Sequence, residues 1–197
     1  NNSDLTVTDC EFHDGAVQDL ESFEAGGIAG FESDVTVYTS EFLRNTCEGR
    51  AGGISMSFGD LLVQGSLFAD NGNTSGTSLI VPGGAIYCGH FGGQCTISDT
   101  RIERNTTIYD GGGLFVESQA INLTDVVFEA NQALYDGGGI YLNAGSAGNV
   151  NLTRCVIANN TAGEAGGGID FYEGGSTQMT SCTVVGNGDA NGDGQIS

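Results

Sequence analysis

Apolar and polar residues alternate in short runs along the whole chain, most plainly in Leu5-Thr6-Val7-Thr8 and Val35-Thr36-Val37-Tyr38. A period of two marks a strand with one buried face, and no stretch keeps a helical period. The runs belong to a larger unit. A large apolar residue is followed three positions later by Asn at Phe42 to Asn45, Phe68 to Asn71, Ile102 to Asn105, Phe128 to Asn131, Ile157 to Asn160 and Val184 to Asn187. Phe12 to Gly15 is a degenerate first copy. A glycine pair or triplet leading into an apolar strand follows most copies, as at Gly52-Gly53-Ile54, Gly83-Gly84-Ala85-Ile86, Gly111-Gly112-Gly113-Leu114 and Gly137-Gly138-Gly139-Ile140.

Successive Asn residues of the first phrase lie 26, 34, 26, 29 and 27 positions apart. A unit of that length with two or three short strands cannot bury its apolar face alone, but it can do so by stacking on the next, as in a solenoid. The pattern predicts an all-β parallel β-helix of about seven coils, forming one domain over residues 1–197. Glycine is expected at each corner, where it allows positive φ and close approach. Aligned units give like-on-like columns. Phe12, Phe42, Phe68, Ile102, Phe128, Ile157 and Val184 form one expected buried stack, and Val7, Val37, Val63, Ile97, Leu123, Leu152 and Met179 another. Asn45, Asn71, Asn105, Asn131, Asn160 and Asn187 should form an amide ladder at a turn, with coils about 4.8 Å apart.

The two phrases resemble the FxxN and GGA[ILV] repeats of polymorphic outer-membrane proteins and related right-handed parallel β-helix surface proteins. The resemblance runs from residue 4 to about 196, with GGAI itself at Gly83 to Ile86 and GGGI or GGI elsewhere. It implies a right-handed parallel β-helix and a surface-exposed setting. It does not imply an activity, because a fold does not carry one.

Charge narrows the partners. Twenty-five acidic residues face five arginines, lysine is absent, and the formal charge is −20. Such a surface repels nucleic acid and anionic lipid and attracts divalent cations. No apolar run is long enough to span a membrane as a helix. The chain opens at Asn1 without an initiator Met or signal peptide, as a mature product or an excised piece would. Six cysteines are expected to pair in an extracellular compartment. Cys155 and Cys182 share a column in adjacent coils, and Cys88 and Cys95 could close the loop between them. Cys10 and Cys47 are left over. Buried free thiols are the alternative.

Sequons begin at Asn1, Asn73, Asn105, Asn122, Asn151 and Asn159. Asn105 belongs to the ladder and should be inaccessible. Asn73 in a loop, Asn122 and Asn151 on an outward strand column, and Asn159 beside the ladder are the glycosylation candidates. The tail Asp189-Ala190-Asn191-Gly192-Asp193-Gly194-Gln195-Ile196 resembles the opening of a dockerin or EF-hand-like loop, with Asp189, Asn191, Asp193 and Gln195 as Ca²⁺ ligands. The same residues alternatively form the corner of the seventh coil, because Ile196 follows Asn187 as Ile169 follows Asn160.

Two acidic stacks invite a catalytic reading: Asp99 with Asp125, followed by Arg154, and Asp110 with Asp136 before the glycine triplets. Polysaccharide lyases and hydrolases of this fold use such groups with Ca²⁺ and a base. Pairing of Asp125 with Arg154 and ordinary turn chemistry explain them better, and uronate lyases need basic residues, of which this chain has almost none to offer. No catalytic residue is assigned. An ice-binding face is disfavoured by the irregular column Thr8, Tyr38, Gln64, Ser98, Thr124, Thr153, Thr180. The expectation is a non-catalytic extracellular structural or adhesive β-helix. Its partner would be itself, stacked end to end into filaments, or a cell-surface or carbohydrate ligand. The alternative is a carbohydrate-binding or polysaccharide-degrading module tethered by a dockerin-like tail.

Overall fold

The computed structural model describes residues 3–18, 24–74, 82–89, 93–117, 120–143, 149–173, 176–192 and 194–197. The protein is a parallel β-helix with no helical segment among these residues. Four parallel sheets run along the coil: two of seven strands and two of six, giving about six full turns and part of another.

The first sheet stacks Leu5–Thr8, Val35–Tyr38, Leu61–Gln64, Gln94–Ser98, Ala120–Thr124, Asn149–Thr153 and Ser176–Thr180. The second stacks three-residue strands from Glu11–His13 to Thr183–Val185, and the third two-residue strands from Ala16–Val17 to Thr161–Ala162. The fourth contains Ile28–Phe31, Ile54–Ser57, Ile86–Gly89, Leu114–Glu117, Ile140–Asn143 and Ile169–Glu173. The alternating runs place Val37, Val63, Ile97 and Leu123 inside, in register, while Thr36, Thr96 and Asn122 face out. Phe12, Phe42 and Phe68 stack almost flat, with centroids 4.7 and 4.6 Å apart and interplanar angles of 3° and 2°. Each fully buried Phe contributes roughly 1.5–3 kcal/mol of apolar burial.

The corners differ from the glycine-rich turns expected. Between the first and second sheets the left-handed residue is Asp9, Thr39, Gly65, Asp99, Asp125, Arg154 or Ser181. Between the second and third it is Asp14, Arg44, Asp70, Arg104, Ala130, Asn159 or Gly186. Left-handed backbone costs a side-chain-bearing residue about 1–2 kcal/mol. The residue that follows offsets that cost through hydrogen bonds between coils.

After the second-sheet corner comes the Asn column. Asn71 Nδ2 donates to the Phe42 carbonyl (2.8 Å) and to Asn105 Oδ1 (3.0 Å), and the Asn71 backbone N–H donates to that same oxygen (2.9 Å). Asn45, Asn105, Asn131 and Asn160 repeat the arrangement. Gly15 begins the column by donating its N–H to Asn45 Oδ1. After the first corner runs a second ladder, of hydroxyls and thiols. The N–H groups of Cys10, Ser40 and Ser66 donate to the hydroxyls of Ser40, Ser66 and Thr100 in turn.

Glycine is required in the segment entering the fourth sheet. Gly137 has φ 63°, and a Cβ on Gly138 or Gly139 would lie 2.3 Å from the Thr161 carbonyl oxygen or 2.6 Å from that of Gly168. The triplet therefore combines one conformational and two close-approach requirements.

Among the described residues no helix is long and apolar enough to cross a membrane.

Candidate functional site: an aromatic and acidic groove on the fourth sheet

The outward positions of the fourth sheet hold Tyr87, Phe115, Tyr141 and Asp170 in register. The first three rings stack with centroids 5.6 and 4.9 Å apart, and Tyr172 continues the stack at 6.2 Å from Tyr141. With Ala51, the first three form a small apolar cluster outside the main core. The Arg50 guanidinium lies 4.5 Å from the centre of the Tyr87 ring, and the Tyr87 hydroxyl donates to Glu117 at 2.7 Å. Burial and the neighbouring Glu117 push the Tyr87 phenol upward.

Beside this strip lies a groove of about 610 Å³. Tyr109, Asp110, Tyr135, Asp136 and Glu164, from the segments entering the sheet, line it together with Phe115, Tyr141 and three residues from the strand ends, Glu117, Asn143 and Tyr172. Tyr109 meets Tyr135 edge-on at 5.4 Å. None of these lining residues is basic. Asp110 is buried, with 7% of its surface exposed, and its carboxyl is pushed up to about 7. Desolvation is the main cause; the neighbouring carboxylates of Asp136, Asp170 and Glu164 add to it, against a hydrogen bond from the Asp136 backbone. Asp170 is raised for the same first reason. A cavity of this size, with aromatic walls and a few converging polar groups, is the usual form of a ligand site. The sequence had marked Asp110 and Asp136 as a stack. The tyrosines were missed, although each of Tyr87, Phe115 and Tyr141 follows the apolar residue that ends a glycine phrase.

The other sequence-predicted positions lie away from this groove or inside the wall. Asp125 pairs with Arg154 at 2.5 Å, and Arg44 with Asp14 and Arg104 with Asp70 form matching pairs across coils at 2.8 and 2.9 Å. Asn122 and Asn151 stack outward on the first sheet, Asn151 Nδ2 donating to Asn122 Oδ1 at 3.0 Å. Asn159 is exposed at a left-handed corner. Asn73 is a correction: it sits not in a loop but in the third-sheet strand Gly72–Asn73, 2% exposed, with its amide donating to the Gly49 carbonyl. A glycan there would have to displace the strand.

The expected disulfides are also corrected, since all six cysteines are free thiols. Cys155 and Cys182 do share a column, but their thiols donate to the Thr153 and Thr180 carbonyls, as Cys10 does to Thr8. These three cysteines occupy positions of the hydroxyl ladder, where a thiol substitutes for Ser or Thr. Cys47 lies on the third sheet and accepts from the Gly49 N–H, remote in the repeat from the Cys10 column. Cys88 and Cys95 face each other in the core with sulfurs 2.7 Å apart.

In the tail, Asp189 Oδ1 accepts from the Gly192 N–H, Asn191 donates to the Glu164 carbonyl, and Ile196 pairs with Ile169. Gln195 Oε1 accepts from Asn187 Nδ2 at 3.1 Å, adding one more amide to the ladder. Asp193 lies outside the described residues. Gln195 and Ile196 thus form the corner of the last coil. Among the described residues no three His, Cys, Asp or Glu side chains group as a metal site.

Residues 125–143 match the Chlamydia polymorphic membrane protein repeat, a segment that includes Phe128, Asn131, the Gly137 to Gly139 triplet and the groove residues Tyr135, Asp136 and Tyr141. No curated protein and no solved structure matches the sequence. The chain carries a repeat of the Chlamydia polymorphic membrane protein type, stacked in a parallel β-helix, and so resembles the surface β-helix proteins built from such repeats.

Proposed function

We propose that this protein is a non-catalytic adhesive β-helix of the cell surface that holds a carbohydrate in the groove of the fourth sheet. The observation that carries the reading is the groove itself, where rings of Tyr141 and Tyr172 adjoin the carboxylates of Asp110, Asp136 and Glu164 and the amide of Asn143. Sugar C–H faces pack against aromatic rings, and sugar hydroxyls donate to carboxylate and amide oxygens. The groove draws on residues of three successive coils, a run of about 10 Å at the usual strand spacing. A rigid β-helix wall fixes these side chains before the ligand arrives, which lowers the ordering cost of binding.

A second reading comes from the raised carboxyl of Asp110, which would suit a general acid near neutral pH. Self-stacking into filaments is the remaining reading. Gln195 already occupies the ladder position beside Asn187 that a stacked copy would use, which favours the carbohydrate. The test is calorimetric titration of the protein and its Tyr172→Ala variant with a panel of neutral and amino-sugar tetramers. Binding weakened at least tenfold by the substitution, with the sugars recovered intact, supports the adhesive reading. Shortened sugars would replace it with the hydrolytic one, and absence of binding by every tetramer would remove the carbohydrate.

A further inference from the structure

We infer that the groove selects amine-bearing sugars, a glucosamine-type polymer whose ammonium groups meet Asp110, Asp136 and Glu164 while its rings lie along Tyr141 and Tyr172. The inference rests on the groove being the carbohydrate site. It follows from how the few positive charges of the chain are distributed. Arg44, Arg101, Arg104 and Arg154 are held in ion pairs with Asp14, Glu103, Glu129, Asp70 and Asp125, all outside the groove. Arg50 lies over Tyr87 and donates to Ser57 at 2.8 Å. Four carboxyl side chains line the groove and no basic side chain does.

Asp110 sharpens the point. One carboxylate oxygen accepts the Asp136 N–H, and the residue, 7% exposed, lines the groove beside Asp136 and Glu164. An opposite charge within a few ångströms favours the ionised form of such a carboxyl beside its acidic neighbours. An ammonium group supplies that charge and donates up to three hydrogen bonds. It also gains from the faces of nearby rings, and Tyr172 is 63% exposed. A uronate would add like charge, and a neutral sugar would leave the carboxylates uncompensated.

The experiment compares glucosamine tetramer, N-acetylglucosamine tetramer and cellotetraose by calorimetry at pH 6, where the free amine is protonated, in low salt. The expected result is at least tenfold tighter binding of the glucosamine tetramer. The gap should narrow in 0.5 M NaCl, as screening of partly exposed charges requires. It should also largely vanish in Asp136→Asn and in Glu164→Gln, whose exposed position leaves folding intact. Asp99→Asn, outside the groove, should keep it. Equal or weaker binding of the glucosamine tetramer overturns this inference but leaves the carbohydrate reading standing. A preference that survives both groove variants overturns it too, as general attraction to an acidic chain. Binding of none of the three removes both.

Discussion

The carboxylate of Asp110 accepts a hydrogen bond from the backbone N–H of Asp136, one coil further on, at 3.0 Å. Asp136 does the same for Ala165 at 2.9 Å. One oxygen of each carboxylate therefore joins neighbouring coils, while both residues line the groove. Joint and ligand wall are built from the same side chains, so a variant that tests binding must keep the accepting oxygen. Asn does so and Ala does not.

The first prediction concerns pH. The Asp110 carboxyl is raised from its ordinary value to about 7 in the folded protein. The native state therefore holds a proton that the unfolded chain releases, and stability falls as pH rises from about 4 to 7. Asp110→Asn removes the penalty and keeps the bond to Asp136. It should stabilise the protein at pH 8 by roughly 2–4 kcal/mol, the upper end reduced by the solvent that reaches the groove, and change nothing at pH 3, where both states are protonated. Thermal melts of both proteins across that range check it, and a variant less stable at pH 8 would show that the carboxylate is held charged.

The second prediction concerns the Asn ladder. Asn131 donates to Ile102 and Asn160 and accepts from the backbone and side chain of Asn105, at 2.9–3.0 Å in each case. Asn131→Ala leaves buried groups without partners in two coils, a loss of about 1–3 kcal/mol or more. Urea unfolding should show it directly. Asn122→Gln, on the outer face, should leave the midpoint unchanged.

Thiol chemistry gives the third. Burial pushes the Cys47 and Cys155 thiols up to about 11, and Cys10 is exposed. Iodoacetamide at pH 8 should modify Cys10 first in the native protein and leave Cys47 and Cys155 untouched until it unfolds, because the thiolate is the nucleophile. Cys155→Ser should keep the native melting temperature, since a hydroxyl fits that ladder. With a thiol oxidant such as diamide, we expect the Cys88–Cys95 bridge before any other, read by peptide mapping without reduction.

The tail supplies the fourth. Gln195→Ala removes the amide beside Asn187 and should cost about 0.5–1.5 kcal/mol, one net hydrogen bond. Calcium should not restore it. A melting temperature of the parent raised by millimolar Ca²⁺ would instead show that Asp189, Asn191 and Asp193 hold an ion.

The coil was legible in the sequence because its core repeats. Phe42, Phe68 and Phe128 recur with Asn three positions on, and one register satisfies every copy. The corners were not legible, because Thr39, Arg44 and Ala130 carry no turn signal and are held in left-handed backbone by the ladder residue that follows. The hydroxyl ladder had a usable signal: Cys10, Ser40, Ser66, Thr100, Cys155 and Cys182 all lie five positions before the Asn column or Gly15. Reading cysteines as disulfide partners hid it. Asn73 looked like loop because a two-residue strand leaves no period to read, and only its parallel pairing with Cys47 fixes it. The groove escaped because its rings follow apolar strand residues and read as more core.

The most direct measurement of the central claim is chemical-shift mapping of isotopically labelled protein titrated with glucosamine tetramer. The account predicts that perturbed amides cluster at Tyr109 to Gly111, Tyr135 to Gly137, Glu164 and the strand ends at Glu117, Asn143 and Tyr172, with the first sheet silent. Shifts confined to the first sheet, or to the first and last coils, would contradict it.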